Sequence, residues 1–365
     1  MKGGVIERVE AAAYEIPTDQ LESDGTLEWD STVLVVARAA ADGQTGLGYT
    51  YAHPALVPLI TSKLADAVVG RNALDVTGAN AAMVHEVRNL GATGPTSMAI
   101  SAVDIALWDL KSRLLDLPLV VALDAAHDTT PIYGSGGFTS YDDKQLARQL
   151  DRWVGQGIPR VKMKTGRDPD HDHERLRVAR KAIGDSTDLY VDANGAFALR
   201  QAVEWAHIYR DYGVRWFEEP VSSDDVGGLR LVRESAPGGI DVAAGEYGWN
   251  PWYYEPLLRA AAIDCVQVDV TRCLGITGFL AVANSCEAFQ LDVSGHCAPQ
   301  ISAHACAAVG RLRHLEYFHD HVRIESMVFD GVLEPQPGGV LRPDRSRPGH
   351  GLTLKDGDAE GFRVA

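Results

Sequence analysis

From Pro131 onward, short apolar runs alternate with amphipathic stretches of helical period. The runs PIYGSG, VKMK, LYVD, RWFEE, DVAAGE, CVQVD, LDVSGH and HLEYF predict eight strands. Between them, DDKQLARQLDRWVGQG, HERLRVARKAIG, LRQAVEWAHIYRDYG and ITGFLAVANSCEAFQ predict helices, several followed by the glycine that suits a helix C-terminus. One strand and one returning helix per repeat is the rhythm of an α/β parallel barrel, a TIM-like (β/α)7β arrangement over residues 126–334.

The first 125 residues follow a different pattern. Val5 to Val9 and Ser31 to Ala39 are β-prone and predict antiparallel strands, and helical patterns follow at His53 to Val69, Asn80 to Leu90 and Met98 to Asp116. An α+β module over residues 1–125 is implied. The Pro- and Gly-rich end of the chain (EPQPGGVLRPDRSRPGHG) favours neither strand nor helix, and residues 335–365 are expected to return to that module.

Each barrel run closes on one polar residue: Lys164, Asp192, Glu218, Glu246, Asp269, His296 and Glu316, spaced 28, 26, 28, 23, 27 and 20 residues apart. Side chains leaving the C-terminal ends of barrel strands converge on one mouth. Lys162 and Lys164 are two apart on a strand and share a face, so each disfavours the other's protonation, and one is expected to be neutral enough to act as a base. Asp192, Glu218 and Glu246 would repel unless a cation sits among them, and an all-oxygen set points to magnesium. Asp269 is placed to hold one nitrogen of His296, leaving the other free to exchange a proton. Glu316, at the last strand end, is placed to donate a hydrogen bond to a substrate carboxylate oxygen if it stays protonated among those charges. Glu219 follows Glu218 directly, so strand alternation predicts that it faces away, in a structural role or one supporting the ligand residues from behind.

Composition narrows the partners. Lysine and arginine total 34 against 50 for aspartate and glutamate, a formal charge of −16, which disfavours nucleic acid and anionic membrane. No apolar run approaches the roughly 20 residues of a membrane span. The segment MKGGVIERVEAAAYEIP lacks a signal-peptide core, so a cytoplasmic location is expected. The five cysteines (265, 273, 286, 297 and 306) form no Cys-x-x-Cys pair and are expected to be free thiols, with Cys297, directly after His296, near the site but with no base identified to activate it.

The motifs KMK (162–164), VDANG (191–195), WFEEP (216–220), AAGE (243–246), VDVTRCLGITG (268–278), SGH (294–296) and LEYF (315–318) together resemble the enolase superfamily, in its mandelate racemase-like group. The segment SMAISAVDIALWDLKSRLLDLPL is similar to part of that group's N-terminal capping domain. The resemblance implies one magnesium ion on Asp192, Glu218 and Glu246, with Lys164 as one base and His296, oriented by Asp269, as the opposing acid or base. It further implies Lys162 at the substrate carboxylate, Asn194 beside the metal shell, and Glu316 as donor to an enediolate. Tyr247 stands where the group often has asparagine.

The implied substrate is a small carboxylate, most often in this group a sugar acid that loses water. Racemisation or epimerisation, or cycloisomerisation of a sugar lactone, uses the same residues. Specificity is expected from capping loops at Pro17 to Ser31, with Glu22, Asp24, Glu28 and Trp29, and at Tyr49 to Pro54, with Tyr51 and His53. A homo-oligomer is expected. A glycoside hydrolase would use two acids but needs neither lysine, and a binding protein needs none of the set. His171, His173, His319 and His321 lack a zinc framework and are expected in surface or loop roles, with His319 able to reach the mouth.

Overall fold

The computed structural model describes residues 4–365. Eight parallel strands close into a barrel: β4 (Thr130–Gly136), β5 (Arg160–Lys164), β6 (Asp188–Asp192), β7 (Val214–Glu218), β8 (Asp241–Ala244), β9 (Cys265–Val268), β10 (Asp292–Gly295) and β11 (Leu312–Phe318). Consecutive strands are neighbours, and β11 pairs with β4 to close the cylinder. All eight correspond to the apolar runs, because a parallel strand covered by helices outside and packed inside is mostly apolar, with few buried polar residues such as Lys162, Gln267 and His314 inside it. The four helices read from sequence form at Asp143–Gly155, Pro169–Ile183, Leu199–Asp211 and Gly275–Ala288. Asp142 begins the first with a reciprocal capping box to Gln145.

Below the mouth the interior is filled by Tyr133, Tyr190, Trp216, Ala243 and Cys265, with the Tyr190 and Trp216 rings stacked at 5.5 Å. This aromatic plug makes the barrel a cup with a packed floor. Five free cysteines are buried, none of them paired.

The N-terminal module is a three-stranded antiparallel sheet, β1 (Arg8–Ser23), β2 (Glu28–Ala41) and β3 (Gln44–Tyr51), packed on helix Pro95–Leu114. Several boundaries differ from the sequence reading. Val5 makes only an isolated bridge to Asn72, since Ile6 and Glu7 bond to Arg71 and Ala40, and the strand starts at Arg8. The first lid segment is not a loop but a long β1–β2 hairpin whose turn is confined to residues 24–27, with a register irregularity between Pro17 and Glu22. Tyr49 to Tyr51 belong to strand β3. The helical pattern from His53 breaks into Leu56–Leu59, a π-helical turn Ile60–Leu64, and Ala65–Val68, and the next helix runs earlier than expected, over Val76–Glu86.

The end of the chain comes back in two steps. Val340–Leu341 pairs antiparallel with β4 of the barrel. Residues 362–365 then bond to Ala13 and Glu15 of β1, and Asp356 pairs with Arg38 of β2. Cap and barrel are also joined through Thr50 Oγ1 to the Thr271 carbonyl, and through Ser97 Oγ to the carbonyls of Trp249 and Arg272. No helix among the described residues is long and apolar enough to cross a membrane.

Candidate active site

Parallel register brings the polar residues together. Lys164 on β5 lies opposite Asp192 on β6, and Asp192 opposite Glu218 on β7, so three groups far apart in sequence leave the sheet at one level. Glu246 lies two residues past β8. The chain gets there through Gly245 at φ +128°, where a Cβ would collide with the Gln267 carbonyl, so only glycine makes this turn. Asp269 and His296 each follow the last residue of their strands, and Glu316 lies within β11.

Asp192, Glu218 and Glu246 are buried, and one oxygen from each lies within 4.8 Å of the others. Beside them Asn194 Oδ1, Glu219 Oε1 and Glu246 Oε2 are buried without a hydrogen bond, the last met only by the His296 Nε2 charge at 3.1 Å. Orphaned buried oxygens around three carboxylates are a donor set that fits a hard divalent cation.

The surrounding charges form one network. Lys162 is fully buried, with Nζ 2.5 Å from Glu218, 2.8 Å from Glu316 and 3.3 Å from Asp192; Lys164 Nζ lies 2.6 Å from Asp192 Oδ2. Burial acts to lower both lysines, but the carboxylates outweigh it and hold both well above the ordinary range. The neutral lysine expected from sequence is not found while these carboxylates pair with the lysines, because the acids outnumber the lysines and meet them at 2.5 to 3.3 Å. Lys162 lies under the cavity rather than lining it.

His296 Nδ1 sits 2.8 Å from Asp269 Oδ2, and Asp269 Oδ1 accepts from the amide and hydroxyl of Thr271. Burial opposes charge on the ring, yet Cys297, Glu246, Glu316 and Asp269 together hold it well above the usual histidine range. Glu316 also departs from expectation. Burial alone would push it up, but Lys162, His296 and Lys164 bring it well below the usual carboxylate range, so it is ionised and accepts from Ser135 Oγ at 2.6 Å. Glu219 does not face away. β7 ends at Glu218, and a left-handed φ of +39° at Glu219 interrupts the alternation. Burial and then Glu246, Asp192 and Glu218 push its carboxyl well up.

A cavity of about 310 Å³ opens over these groups, lined by Lys164, Asn194, Glu246, His296 and Glu316 below and by the cap above. Trp29 and Tyr51 line it; His53 does not, being exposed, with its Nδ1 accepting from the Ala55 amide at the start of a helix. Among the acids of the lid, Asp24 lines the cavity, Glu28 pairs outward with Arg167, and Glu22 is buried with Oε2 accepting from Trp29 Nε1. The hairpin is fastened to the barrel by Ser23 and Thr139 hydroxyls at 2.6 Å and by Ser140 Oγ to the Leu21 carbonyl.

Arg272 and His321 line the cavity without a role assigned from sequence, and Cys297 lines it beside His296, where its adjacency in sequence places it. Cys297 Sγ is 3.3 Å from His296 Nε2, Arg272 packs on Tyr247 and donates to the Glu246 carbonyl, and His321 is buried against Tyr51. The surface role expected of His321 is thus corrected, whereas His319, given a surface or loop role, does not line the cavity and meets Asp19 at 3.1 Å. Adjacency to His296 was the available signal for Cys297. None existed for His321.

Residues 145–359 match the family described as enolase C-terminal domain-like, and residues 16–123 match the mandelate racemase/muconate lactonizing enzyme N-terminal domain. The chain belongs to the mandelate racemase/muconate lactonizing enzyme family. Within this family it is 32% identical over 362 residues to 3,6-anhydro-α-L-galactonate cycloisomerase of Streptomyces coelicolor, covering 96% of this chain and 97% of that protein. It superposes on a mandelate racemase/muconate lactonizing enzyme-like protein from Rubrobacter xylanophilus with a TM-score of 0.96 and 52% identity, covering 98% and 99% of the two chains. L-talarate/galactarate dehydratase of Salmonella typhimurium, solved with magnesium and L-lyxarohydroxamate, superposes with a TM-score of 0.91 at 26% identity, covering 100% and 94%.

Proposed function

We propose that this chain is a magnesium-dependent enzyme that removes the proton α to the carboxylate of a sugar acid, and that the enediolate formed then loses its β-hydroxyl as water. The observation that carries the reading is that Lys164 and His296, on strands separated by β11 and β4, line one cavity together with Glu246 and Asn194. Proton-transfer groups from two directions around one carbon suit abstraction on one side and proton delivery on the other.

Magnesium on Asp192, Glu218 and Glu246 would supply positive charge to the substrate carboxylate and draw those acids away from their lysine partners. Lys164 takes the α-proton in its neutral form; the electron pair of the C–H bond becomes the enediolate, and its return expels the β-oxygen. His296, protonated and held by Asp269, gives its proton to that oxygen, so the leaving group departs as water and an enol remains to become the 2-keto-3-deoxy acid. Lys162 adds charge beneath the carboxylate, Asn194 orients it, and Glu316 positions Lys162 and His296. Trp29 and Tyr51 close the site against water.

Cycloisomerisation is the second reading, favoured by the 32% identity to the Streptomyces cycloisomerase. The test is incubation of the magnesium-loaded protein with a panel of acid sugars and anhydro acids in deuterated water. Exchange of the α-proton with formation of a keto-deoxy acid is expected; exchange with an isomeric product selects the second reading, and exchange with none of the panel overturns both. Lys164→Ala and His296→Asn should each stop turnover while differing in which substrate epimer still exchanges.

A further inference from the structure

The positive charge of the cavity is concentrated at its catalytic floor. Its two strong cations are Lys164, paired with Asp192, and Arg272, whose guanidinium donates to the Glu246 carbonyl, lies 3.7 Å from Asp269 and covers the Tyr247 ring. The opposite wall, built by the β1–β2 hairpin and the end of β11, presents Leu27, Trp29, Val33 and Phe318, together with Ser31 and Thr32, whose hydroxyls donate elsewhere, to Glu15 and Asp320. Its charged group is an acid, Asp24, fixed in place as Oδ1 accepts from the amides of Thr26 and Leu27 at 2.6 and 2.7 Å. His321 is the remaining titratable group on that side. Its Nδ1 accepts a hydrogen bond from the Ala298 amide at 3.2 Å and its ring stacks on Tyr51 at 3.5 Å, an arrangement available only to the neutral imidazole. Burial, aided by His296 and Arg272 against Asp269, pushes the ring down to about 3. With Nδ1 accepting, Nε2 carries the hydrogen, a neutral donor without a protein partner among the described residues.

Resting on the function proposed above, we infer that the substrate carries a single carboxylate and that its far end is uncharged, a hydroxymethyl group or an ether ring placed among Trp29, Phe318 and His321. The second carboxylate of an aldaric acid would lose its water against apolar side chains and face Asp24, while Arg167 at the hairpin turn does not line the cavity and is engaged by Glu28 and the Leu27 carbonyl. An uncharged end instead packs on the aromatic rings and accepts from His321 Nε2.

The inference is tested with matched acids that differ only at the far carbon, such as galactonate with galactarate and gluconate with glucarate, together with an anhydro-aldonate. α-Proton exchange, turnover and the shift in melting temperature are read for each with magnesium present. The monoacid of a pair is expected to exceed its diacid by about 100-fold in kcat/KM, the scale of one juxtaposed like charge in a dry site. Leu27→Arg, at an exposed position of the hairpin turn where folding is not at risk, should narrow that ratio at least about tenfold by adding a distal cation. Equal or better use of the diacids by the wild-type protein, or a ratio unmoved in Leu27→Arg, overturns the inference and leaves the proposed chemistry standing. Absence of α-proton exchange with every acid overturns the proposed function, and the inference falls with it.

Discussion

His296 Nδ1 and Asp269 Oδ2 meet at 2.8 Å across adjacent strand ends, and the Asp269 carboxylate is itself held below its ordinary range by that contact despite complete burial. The pair fixes which imidazole nitrogen faces the cavity and keeps the ring basic, so one residue that never needs to touch substrate sets the protonation of another that does. Asp269→Asn keeps the shape and removes the charge. It should lower kcat by about 100- to 10,000-fold, the range of one acid–base group, and shift the alkaline limb of the kcat/KM profile to lower pH, since His296 must hold its proton to act as the acid, with KM moving little. An unchanged pH profile would show that Asp269 does not act through the ring.

Asp192, Glu218 and Glu246 repel one another in the absence of a cation, and lysines and His296 stand in as counter-charges. Magnesium at about one hundred times its dissociation constant should therefore stabilise the folded chain by about 2.7 kcal/mol, read as a rise in melting temperature that chelation reverses. Asp192→Asn should abolish that rise. A melting temperature indifferent to magnesium in the wild-type protein would remove the ligand assignment without reference to turnover.

Glu22, under the hairpin, is pushed up to about 9, first by burial and then by Asp320, against the hydrogen bond from Trp29. The folded chain thus keeps a proton that the unfolded chain releases above the ordinary value near 4.5, so the stability this group contributes is complete at low pH and is lost as pH rises from about 4.5 through 9, by at most about 1.4 kcal/mol per unit. Glu22→Gln is neutral throughout and still offers an oxygen to Trp29 Nε1. Its melting temperature should fall less than that of the wild type between about pH 5 and about pH 9; parallel curves would show that Glu22 does not titrate in this window.

Gly48 of β3 lies against the backbone of helix Pro95–Leu114, where an added Cβ would overlap the Ala102 carbonyl and the Ala106 amide. Gly48→Ala should destabilise the cap by about 1–3 kcal/mol, because neither backbone can yield without moving a helix packed on both sides. Denaturant melts would measure it, and a loss below about 0.5 kcal/mol, ordinary for an unconstrained surface change, would mean that sheet and helix are loosely packed there.

The barrel and its seven polar rungs were legible because each rests on local arithmetic. An apolar run of strand length ending in a charge, repeated at the spacing of a strand and a helix, leaves a closed parallel sheet as the arrangement that buries every run and gathers every charge. The cap was legible as α+β but not in its details. The lid reads as polar loop sequence, yet it is held extended by Thr139, Ser140 and Arg167, more than a hundred residues away.

The order of residues along this chain determined the barrel, the face of each strand and the level at which acids, lysines and the Asp269–His296 pair emerge, since side-chain alternation and run length are properties of neighbouring residues. Tertiary structure alone decided that Glu316 is ionised, that Glu219 turns into the acids, that Lys162 is sealed beneath the cavity and that His321 comes to its wall. Those outcomes depend on the distance between charges brought together by folding, and Coulomb interaction and desolvation respond to distance in space, not to separation along the chain.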